Sequence, residues 1–108
     1  MAYGEAIYDG IVAAGATTLT VTIGPVAPNR RWTVSQVSVD LSAAPAGSTC
    51  YLRKGGRMIT PLVPTGDVAG GDPPVMLRGG ESMTVEWTGL TAGQIGRVLA
   101  IYDEERAR

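Results

Sequence analysis

The stretch that decides the fold is Ser82-Met83-Thr84-Val85-Glu86-Trp87, where apolar and polar residues alternate strictly. Successive side chains of a β-strand point to opposite faces, so this alternation places one face in a core and the other in water. Glycine-containing turns flank the stretch on both sides, at Gly79-Gly80 and at Gly89. The pattern predicts a half-buried antiparallel strand, and it directs the search for function to a surface and away from an active site.

Composition narrows the class of protein. The chain has 108 residues, of which 44% are hydrophobic, and this is typical of one globular domain. A net charge of −1 supplies no broad field that would attract nucleic acid or anionic lipid. The N-terminus lacks the basic region of a secretory signal, and no apolar run approaches the roughly 20 residues of a membrane helix. The sequence therefore predicts neither nucleic acid nor a membrane as a partner.

Strand patterns recur along the rest of the chain, and no stretch has a helical period. The predicted strands cover residues 6–12, 17–23, 31–41, 49–54, 57–63, 82–87 and 95–102, with another just after Pro73-Pro74. Within residues 31–41, Trp32 and Val34 share one parity, whereas Val37 and Val39 share the other. A one-residue slip of this kind is produced by a β-bulge, which we place near Ser35-Gln36. The alternative is a bend where the chain crosses between sheets.

About eight short strands with regularly spaced turns predict an all-β fold with no substantial helix, an antiparallel β-sandwich of jelly-roll-like form. The strand order is not determined by these patterns, so a Greek-key sandwich and a jelly roll both remain open. We divide the chain into an N-terminal arm or first strand (1–16), a β-sandwich domain (17–102) and a charged C-terminal tail (103–108). Residues 64–74, rich in Pro, Gly and Asp, are predicted to be a long and functional loop.

Catalytic chemistry has few candidates in this sequence. The chain has no histidine, which excludes Ser-His-Asp and Cys-His catalysis and histidine-based zinc sites. Cys50 is interpreted as a small buried strand residue. Glu81 and Glu86 lie an odd number of residues apart and would face opposite ways on a strand. Asp67 and Asp72 could donate oxygens to calcium, but they lack the dense Asp pattern of a calcium loop, and an ordinary Asx-stabilised loop is the favoured explanation. The chain is predicted not to be an enzyme and to need no cofactor, metal or small-molecule substrate.

Two further groups of residues carry alternative readings. Arg30 and Arg31, with Arg53, Lys54 and Arg57, form either a basic patch for an acidic partner or solvated turn charges. Trp32 and Trp87 lie in register with apolar neighbours, which favours core anchors. Their alternative role is to stack on sugar rings, as the exposed aromatics of carbohydrate-binding modules do.

The chain resembles small all-β structural proteins of tailed bacteriophages, particularly those that infect actinobacteria. The resemblance rests on Pro73-Pro74, Leu77-Arg78-Gly79-Gly80-Glu81, Val85-Glu86-Trp87-Thr88-Gly89, the strand over residues 93–101 and the chain length. It covers the last third of the chain best and the remainder loosely.

This resemblance implies a capsid decoration (cement) protein, which stabilises the phage head by bridging subunits of the major capsid protein, often as a homotrimer. The protein would be synthesised in the host bacterial cytoplasm and would lie on the exterior of the virion capsid. We expect the contacts with the capsid or a neighbouring subunit to come from the first strand and from the 64–74 loop. The predicted interface residues are Tyr3, Ile7, Tyr8, Ile11, Asp67, Val68 and Asp72.

Two competing functions remain open at this stage. One is a tail, baseplate or fibre module that binds host glycans, for which Trp32 and Trp87 would be the stacking residues. The other is a head-to-tail joining protein, which forms a ring instead of trimers.

Overall fold

A computed structural model describes residues 2–43, 45–55, 57–65 and 67–106 of the chain. These residues contain no helix and form eight β-strands. The strands are β1 (Ala2–Ile11), β2 (Leu19–Ile23), β3 (Arg30–Leu41), β4 (Thr49–Lys54), β5 (Arg57–Leu62), β6 (Asp67–Leu77), β7 (Met83–Thr88) and β8 (Ile95–Arg106).

The eight strands form two antiparallel four-stranded sheets that pack face to face. We call the sheet with the order β1-β8-β3-β6 the front sheet, and the sheet with the order β2-β7-β4-β5 the back sheet. Each sheet combines strands from both halves of the chain, and the two orders together are those of a jelly roll. The predicted all-β sandwich is confirmed, and the structure decides the strand order in favour of the jelly roll.

The predicted β-bulge is present in the middle of β3. The pairing of β3 with both β6 and β8 shifts register between Val34 and Gln36, so that Ser35 is the additional residue. The bulge turns the side chain of Val34, which precedes it, and that of Val37, which follows it, toward the same core. The long strand β3 therefore keeps an apolar inner face although its sequence changes parity.

The core lies between the sheets and centres on β7. Trp87 is fully buried, and its indole Nε1 donates a hydrogen bond to the carbonyl oxygen of Pro64 at 3.0 Å. Gly96 of the opposing front sheet makes room for this ring, because a Cβ atom there would lie 2.9 Å from Trp87 Cζ3 and 2.8 Å from Leu19 Cδ2. The absence of a side chain at Gly96 thus allows the large indole to fit between two closely spaced sheets.

Of the two predicted forms of the N-terminal residues, an arm or a first strand, the structure has the strand. Residues 2–11 form β1, which pairs with β8 over its full length and is an integral strand of the sandwich. Ala6 and Tyr8 pack against the core, and Val12 is buried. The weak alternation of β1 arises because its inward positions are small (Gly4, Ala6 and Gly10), and small residues give little hydrophobic signal.

The predicted 64–74 loop also differs from the structure, since most of it belongs to strand β6. The backbone of this strand pairs with β3 in two stretches, from Val39↔Asp67 to Gln36↔Gly70 and from Val34↔Val75 to Trp32↔Leu77. Residues 71–74 lie opposite the β3 bulge, between these two paired stretches. Gly, Asp and Pro have low strand propensity, but the pairing available along β3 decides the conformation.

The predicted charged tail is likewise part of the fold up to Arg106, where β8 ends. Glu104 accepts a hydrogen bond from the indole Nε1 of Trp32 at 3.0 Å, and Glu105 forms an ion pair with Arg31. Two of the charges that suggested a solvated tail, Glu104 and Glu105, therefore have partners on the neighbouring strand β3. Residues 107 and 108 of the predicted tail lie outside the described residues.

Candidate interaction surface

The two outer faces of the sandwich differ in chemistry, although both are formed by alternating strands. The outer face of the back sheet is largely polar, and its outward residues on β2 and β7 are Thr20, Thr22, Thr84, Glu86 and Thr88. Met58 of β5, opposite Arg53, is an exposed apolar side chain on this face. On β4 the outward residues are Thr49, Tyr51 and Arg53. Threonine is a good strand former that tolerates water on one side, so this face needs no partner.

The outer face of the front sheet, which we call the front face, is apolar by comparison. Its exposed large apolar side chains are 40–66% accessible and comprise Tyr3, Ile7, Ile11, Val68, Met76 and Ile95. Leu99 and Ile101, both half-buried, lie between them on β8. Nine large hydrophobic residues are exposed in the described part of the chain, and six of them belong to this one face. This concentration distinguishes an interaction surface from scattered exposure.

The apolar side chains form rows that cross the sheet. Ile7 on β1 lies opposite Leu99 on β8, which lies opposite Ser38 on β3, and Ser38 in turn lies opposite Val68 on β6. Ile11 lies opposite Ile95 at one end of the sheet. Because neighbouring strands are about 4.8 Å apart, the row from β1 to β6 extends over about 14 Å.

Charged rows separate these apolar rows. Asp9 faces Arg97 with 3.8 Å between Oδ2 and Nη2, and Arg97 is followed across the sheet by Asp40. Glu5 accepts a hydrogen bond from the Tyr3 hydroxyl at 2.8 Å. This bond is the largest of the causes that raise the pKa of Tyr3. Strand β1 itself is acidic, since Glu5 and Asp9 are its only charged residues, and Arg97 of β8 balances part of the charge of Asp9.

The front face is large enough for a specific protein contact. Four strands about 4.8 Å apart and ten residues of about 3.4 Å each give roughly 650 Å² in projection. A standard protein–protein interface buries about 800 Å² on each partner. A partner that covered the front face would therefore bury an area of the usual size.

The structure divides the predicted interface residues into three groups. Tyr3, Ile7 and Ile11 lie on the front face together with Val68, which β6 places at its other side. Tyr8 has the opposite parity and is half-buried against the core, where its hydroxyl accepts a hydrogen bond from the Gly24 amide at 3.3 Å. The strand alternation of β1 turns it inward, so Tyr8 does not belong to the front face.

Of the two predicted aspartates, Asp67 is the one whose side chain the structure describes. The Asp67 carboxylate accepts hydrogen bonds from the amides of Val63 at 2.6 Å and Val68 at 2.8 Å. These two bonds lower its pKa, so Asp67 is an ionised group that holds the start of β6. The side chain of Asp72 lies outside the described residues, and within the described part of the chain no three acidic or cysteine side chains cluster as a metal site would require.

The front-face residues of β8 were missed by the sequence reasoning. Ile95, Leu99 and Ile101 are outward, whereas Val98 and Ala100 are inward. The signal for this was present, because an apolar run on both parities indicates a strand that is covered on both faces.

Both tryptophans lie in the core, as their register with apolar neighbours predicted. Trp87 is completely buried, and Trp32 is only 9% exposed and stacks on Tyr102 with 3.8 Å between ring centroids and 10° between ring planes. Stacking on a sugar requires an exposed ring face, which neither residue presents. The glycan-binding alternative therefore loses both of its proposed stacking residues.

The other candidate catalytic residues, Cys50, Glu81 and Glu86, lie apart in the described structure. Burial raises the pKa of the Cys50 thiol to about 12, with a smaller contribution from the Asp67 charge. A thiol with this pKa stays protonated and unreactive at neutral pH. Glu81 accepts a hydrogen bond from the Arg78 amide at 2.7 Å, which is the main reason for its lowered pKa, and Glu86 lies on the polar outer face of the back sheet.

Three of the five candidate basic-patch residues have acidic neighbours. Arg31 pairs with Glu105. Arg53 and Lys54 lie 3.6 Å from Glu86 and Glu81 respectively, and Lys54 also donates to the carbonyl oxygen of Met76 at 2.9 Å. A shallow cavity of about 340 Å³ beside Lys54 and Glu81 is lined by this ion pair. The pairing favours the interpretation of these cations as locally balanced surface charges.

Comparison with known proteins finds a similar fold but assigns the chain to no family. No family model and no curated protein matches the chain. The crystal structure of FLHE is similar, with a TM-score of 0.58 and 16% identity over 94% of this chain and 98% of that chain. The structure of the Aeromonas hydrophila PliG, a periplasmic inhibitor of g-type lysozyme, aligns with a TM-score of 0.41 and 10% identity over 94% and 87% of the two chains, which is too distant to support an argument. At these identities the comparison shows a common sandwich architecture alone.

Proposed function

We propose that this chain is a virion structural protein, a capsid decoration protein that docks on subunits of the major capsid protein through its front face. It would be synthesised in the host bacterial cytoplasm and would reinforce the exterior of the phage head, often as a homotrimer. The observation that carries this proposal is the contrast between the apolar front face and the threonine-rich back face.

The contrast supports an interfacial function for a physical reason. An exposed isoleucine on a strand gains little by folding, whereas burial by a partner removes its apolar surface from water at about 25 cal/mol per Å². The back sheet shows that the same fold accommodates threonine at outward positions. Ile7, Ile11 and Ile95 are therefore best explained by a surface that is covered when the protein acts.

The resemblance to phage structural proteins provides the identity of the partner, and the described fold is compatible with it. Jelly rolls are frequent among viral structural proteins, which is an argument from analogy and concerns the class alone. The head-to-tail joining protein remains the alternative that uses the same surface in a ring.

A test by deletion of residues 2–12 would not separate function from folding. These residues form β1, and removing them would expose the edge of β8 and uncover Ala6, Tyr8 and Val12 contacts in the core. Point substitutions on the two outer faces are therefore the appropriate test.

The experiment compares Ile7→Glu on the front face with Thr22→Glu on the back face. Both side chains are exposed and lie on edge strands, so the two variants impose the same new charge at comparable positions. Co-sedimentation with emptied phage capsids is expected for the wild type and for Thr22→Glu, and to be lost for Ile7→Glu. Circular dichroism controls for folding, and light scattering gives the oligomeric mass. Undiminished sedimentation of Ile7→Glu, or no sedimentation of the folded wild type, would contradict the proposal.

A further inference from the structure

The four edges of the two sheets are not equally protected against strand addition. An edge strand exposes unpaired amide and carbonyl groups, and proteins usually interrupt such edges with proline, bulges or short length. In the back sheet, β2 has only five residues and β5 contains Pro61 and pairs with β4 through a register shift. In the front sheet, the edge strand β6 contains Pro73-Pro74 and pairs with β3 in two separate stretches.

The remaining edge, β1, has none of these interruptions. It is ten residues long, contains no proline and pairs with β8 in one continuous register from Ala2 to Ile11. Within the described part of the chain it has a paired strand on one side only. Strand β1 therefore offers a regular ladder of backbone donors and acceptors along its second side.

The charges of β1 decide which strand can occupy this edge. A second copy of β1 in antiparallel pairing would place carboxylates close together. If the two strands pair with Ile7 opposite Ile7, Glu5 lies opposite Asp9. If they pair with Glu5 opposite Glu5 or with Asp9 opposite Asp9, two identical carboxylates face each other. If the two strands pair with Ala6 opposite Ala6, the carboxylates lie diagonally across from one another, and like charges on neighbouring strands are unfavourable. Charge complementarity thus favours a partner strand with cations over a second copy of this chain.

We propose that the open edge of β1 binds an extended segment of a protein partner in which two basic residues flank an apolar residue at alternate positions. The two cations would lie opposite Glu5 and Asp9, which are four residues and about 14 Å apart on the strand, and the apolar residue would lie opposite Ile7. The mode is addition of a strand to a sheet edge, in which backbone hydrogen bonds give affinity and alternate side chains give specificity. The proposal specifies the segment that the docking partner would supply and in that respect rests on the proposed function.

The first experiment uses the full chain and synthetic peptides, without capsids. A fluorescently labelled peptide Ser-Thr-Arg-Thr-Ile-Thr-Arg-Thr-Ser is titrated with the protein, and binding is followed by fluorescence anisotropy. A control peptide with the same composition, Ser-Thr-Arg-Thr-Ile-Arg-Thr-Thr-Ser, places the second arginine on the opposite face of the strand. We expect the first peptide to bind and the control to bind several-fold more weakly, and amide hydrogen exchange to slow in β1 when the first peptide is added.

A charge-reversal variant tests the predicted register. The double substitution Glu5→Lys with Asp9→Lys is expected to weaken binding of the arginine peptide by about five- to tenfold, as two exposed charge pairs would. The same variant is expected to bind a peptide in which glutamate replaces both arginines. Restored binding by this exchanged pair distinguishes direct contact from a general loss of folding.

Three results would overturn the proposal. The first is equal binding of both arginine peptides, and the second is no binding of either peptide. The third is a stable dimer of the chain alone in which the β1 amides are protected from exchange, because a second copy would then occupy the edge. The proposed function fails independently, because peptide binding without capsid sedimentation contradicts the function alone. Capsid sedimentation that depends on Ile7 without peptide binding contradicts the strand-addition proposal alone.

Discussion

Substitution Gly96→Ala tests how closely the two sheets approach. A Cβ atom at this position would lie 2.8 Å from Leu19 Cδ2 and 2.9 Å from Trp87 Cζ3, closer than real Cβ contacts. Trp87 cannot move freely, because it is fully buried and its indole is hydrogen-bonded to Pro64. The added methyl group must therefore displace Leu19 or separate the sheets.

The expected cost follows from two opposing effects. Overpacking a dense core usually destabilises by about 1–3 kcal/mol, whereas replacing glycine restricts the unfolded chain and returns about 0.4–1 kcal/mol. The net effect of Gly96→Ala is a loss of about 1–2 kcal/mol in the free energy of unfolding. For a domain of this size the melting temperature should fall by about 5–15 °C. Urea titration monitored by tryptophan fluorescence and thermal melting by circular dichroism measure the two quantities.

A double-mutant cycle identifies the contact responsible. Leu19→Val removes the Cδ atoms nearest to the new methyl group and should cost about 1 kcal/mol alone, as the loss of one buried methylene does. The double variant should then be less destabilised than the sum of the single variants, by at least about 0.5 kcal/mol. Gly10→Ala provides a milder comparison, since its Cβ would lie 3.1 Å from Leu19 Cδ1. If Gly96→Ala is neutral or stabilising, or if the cycle is additive, the proposed sheet spacing is wrong.

Three further predictions concern other parts of the fold. The buried Cys50 thiol should not react with a thiol-specific chromogenic reagent at pH 8 until denaturant is added. Because its pKa is raised to about 12, the stability that this thiol contributes is complete below about pH 9 and is lost as pH rises from 9 toward 12. A Cys50→Ala variant should not show this loss in alkaline urea titrations. Asp67→Asn should destabilise the protein at pH 7, because the amide side chain cannot accept both backbone hydrogen bonds with the geometry of the two carboxylate oxygens. Since the pKa of the native carboxylate is lowered, its contribution to stability is present above about pH 4 and is lost as pH falls through the lowered native pKa. The two proteins should therefore converge in stability when they are titrated into acid. Deletion of Ser35 should leave a folded protein as judged by circular dichroism, because without this additional residue Trp32, Val34 and Val37 occupy alternate positions of a regular strand and all still face the core. An unfolded deletion variant would contradict the position of the bulge in β3.

The elements that the sequence predicted well are those whose inner and outer residues differ strongly in polarity. Strand β7 alternates between buried and half-buried residues from Met83 to Thr88, as its sequence predicted. The bulge at Ser35 was found for the same reason, since a change of parity between Trp32 and Val37 is visible without knowledge of any partner. Local pattern was sufficient here because burial on one face is strongly favourable and does not depend on which strand lies beside it.

The elements that were predicted incorrectly depend on their partners. Strand β6 contains residues that disfavour strands, and it is extended because β3 supplies backbone partners on both sides of the bulge. The sequence at the end of β8 resembles a charged tail. In the structure, however, Glu105 pairs with Arg31 and Glu104 accepts a hydrogen bond from Trp32. The pairs Arg31–Glu105 and Trp32–Glu104 join residues more than 70 positions apart, and a single sequence contains no signal for them.

The candidate surface was recovered in part for a related reason. Tyr3, Ile7 and Ile11 share a parity in β1, so a surface strand could be proposed from the sequence, but Tyr8 was included because the inward residues of β1 are too small to reveal its phase. The strand order was required to bring β8 and Val68 of β6 to the same face.

The contrast between the two faces bears on how selection acts on this fold. In the isolated chain, threonine in place of Ile7 would satisfy the strand equally well, and Thr20 and Thr22 on the back sheet show that the fold accepts this solution. Exposed apolar residues also increase the risk of aggregation at an open edge, which is greatest for an uninterrupted strand such as β1. The acidic residues Glu5 and Asp9 reduce that risk for pairing with a second copy, because they repel an identical strand, yet they leave the edge open to a basic one. A different protein as the partner therefore explains three features together. They are the apolar exposure on the front face, the uninterrupted edge of β1 and a charge pattern that disfavours pairing with a second copy.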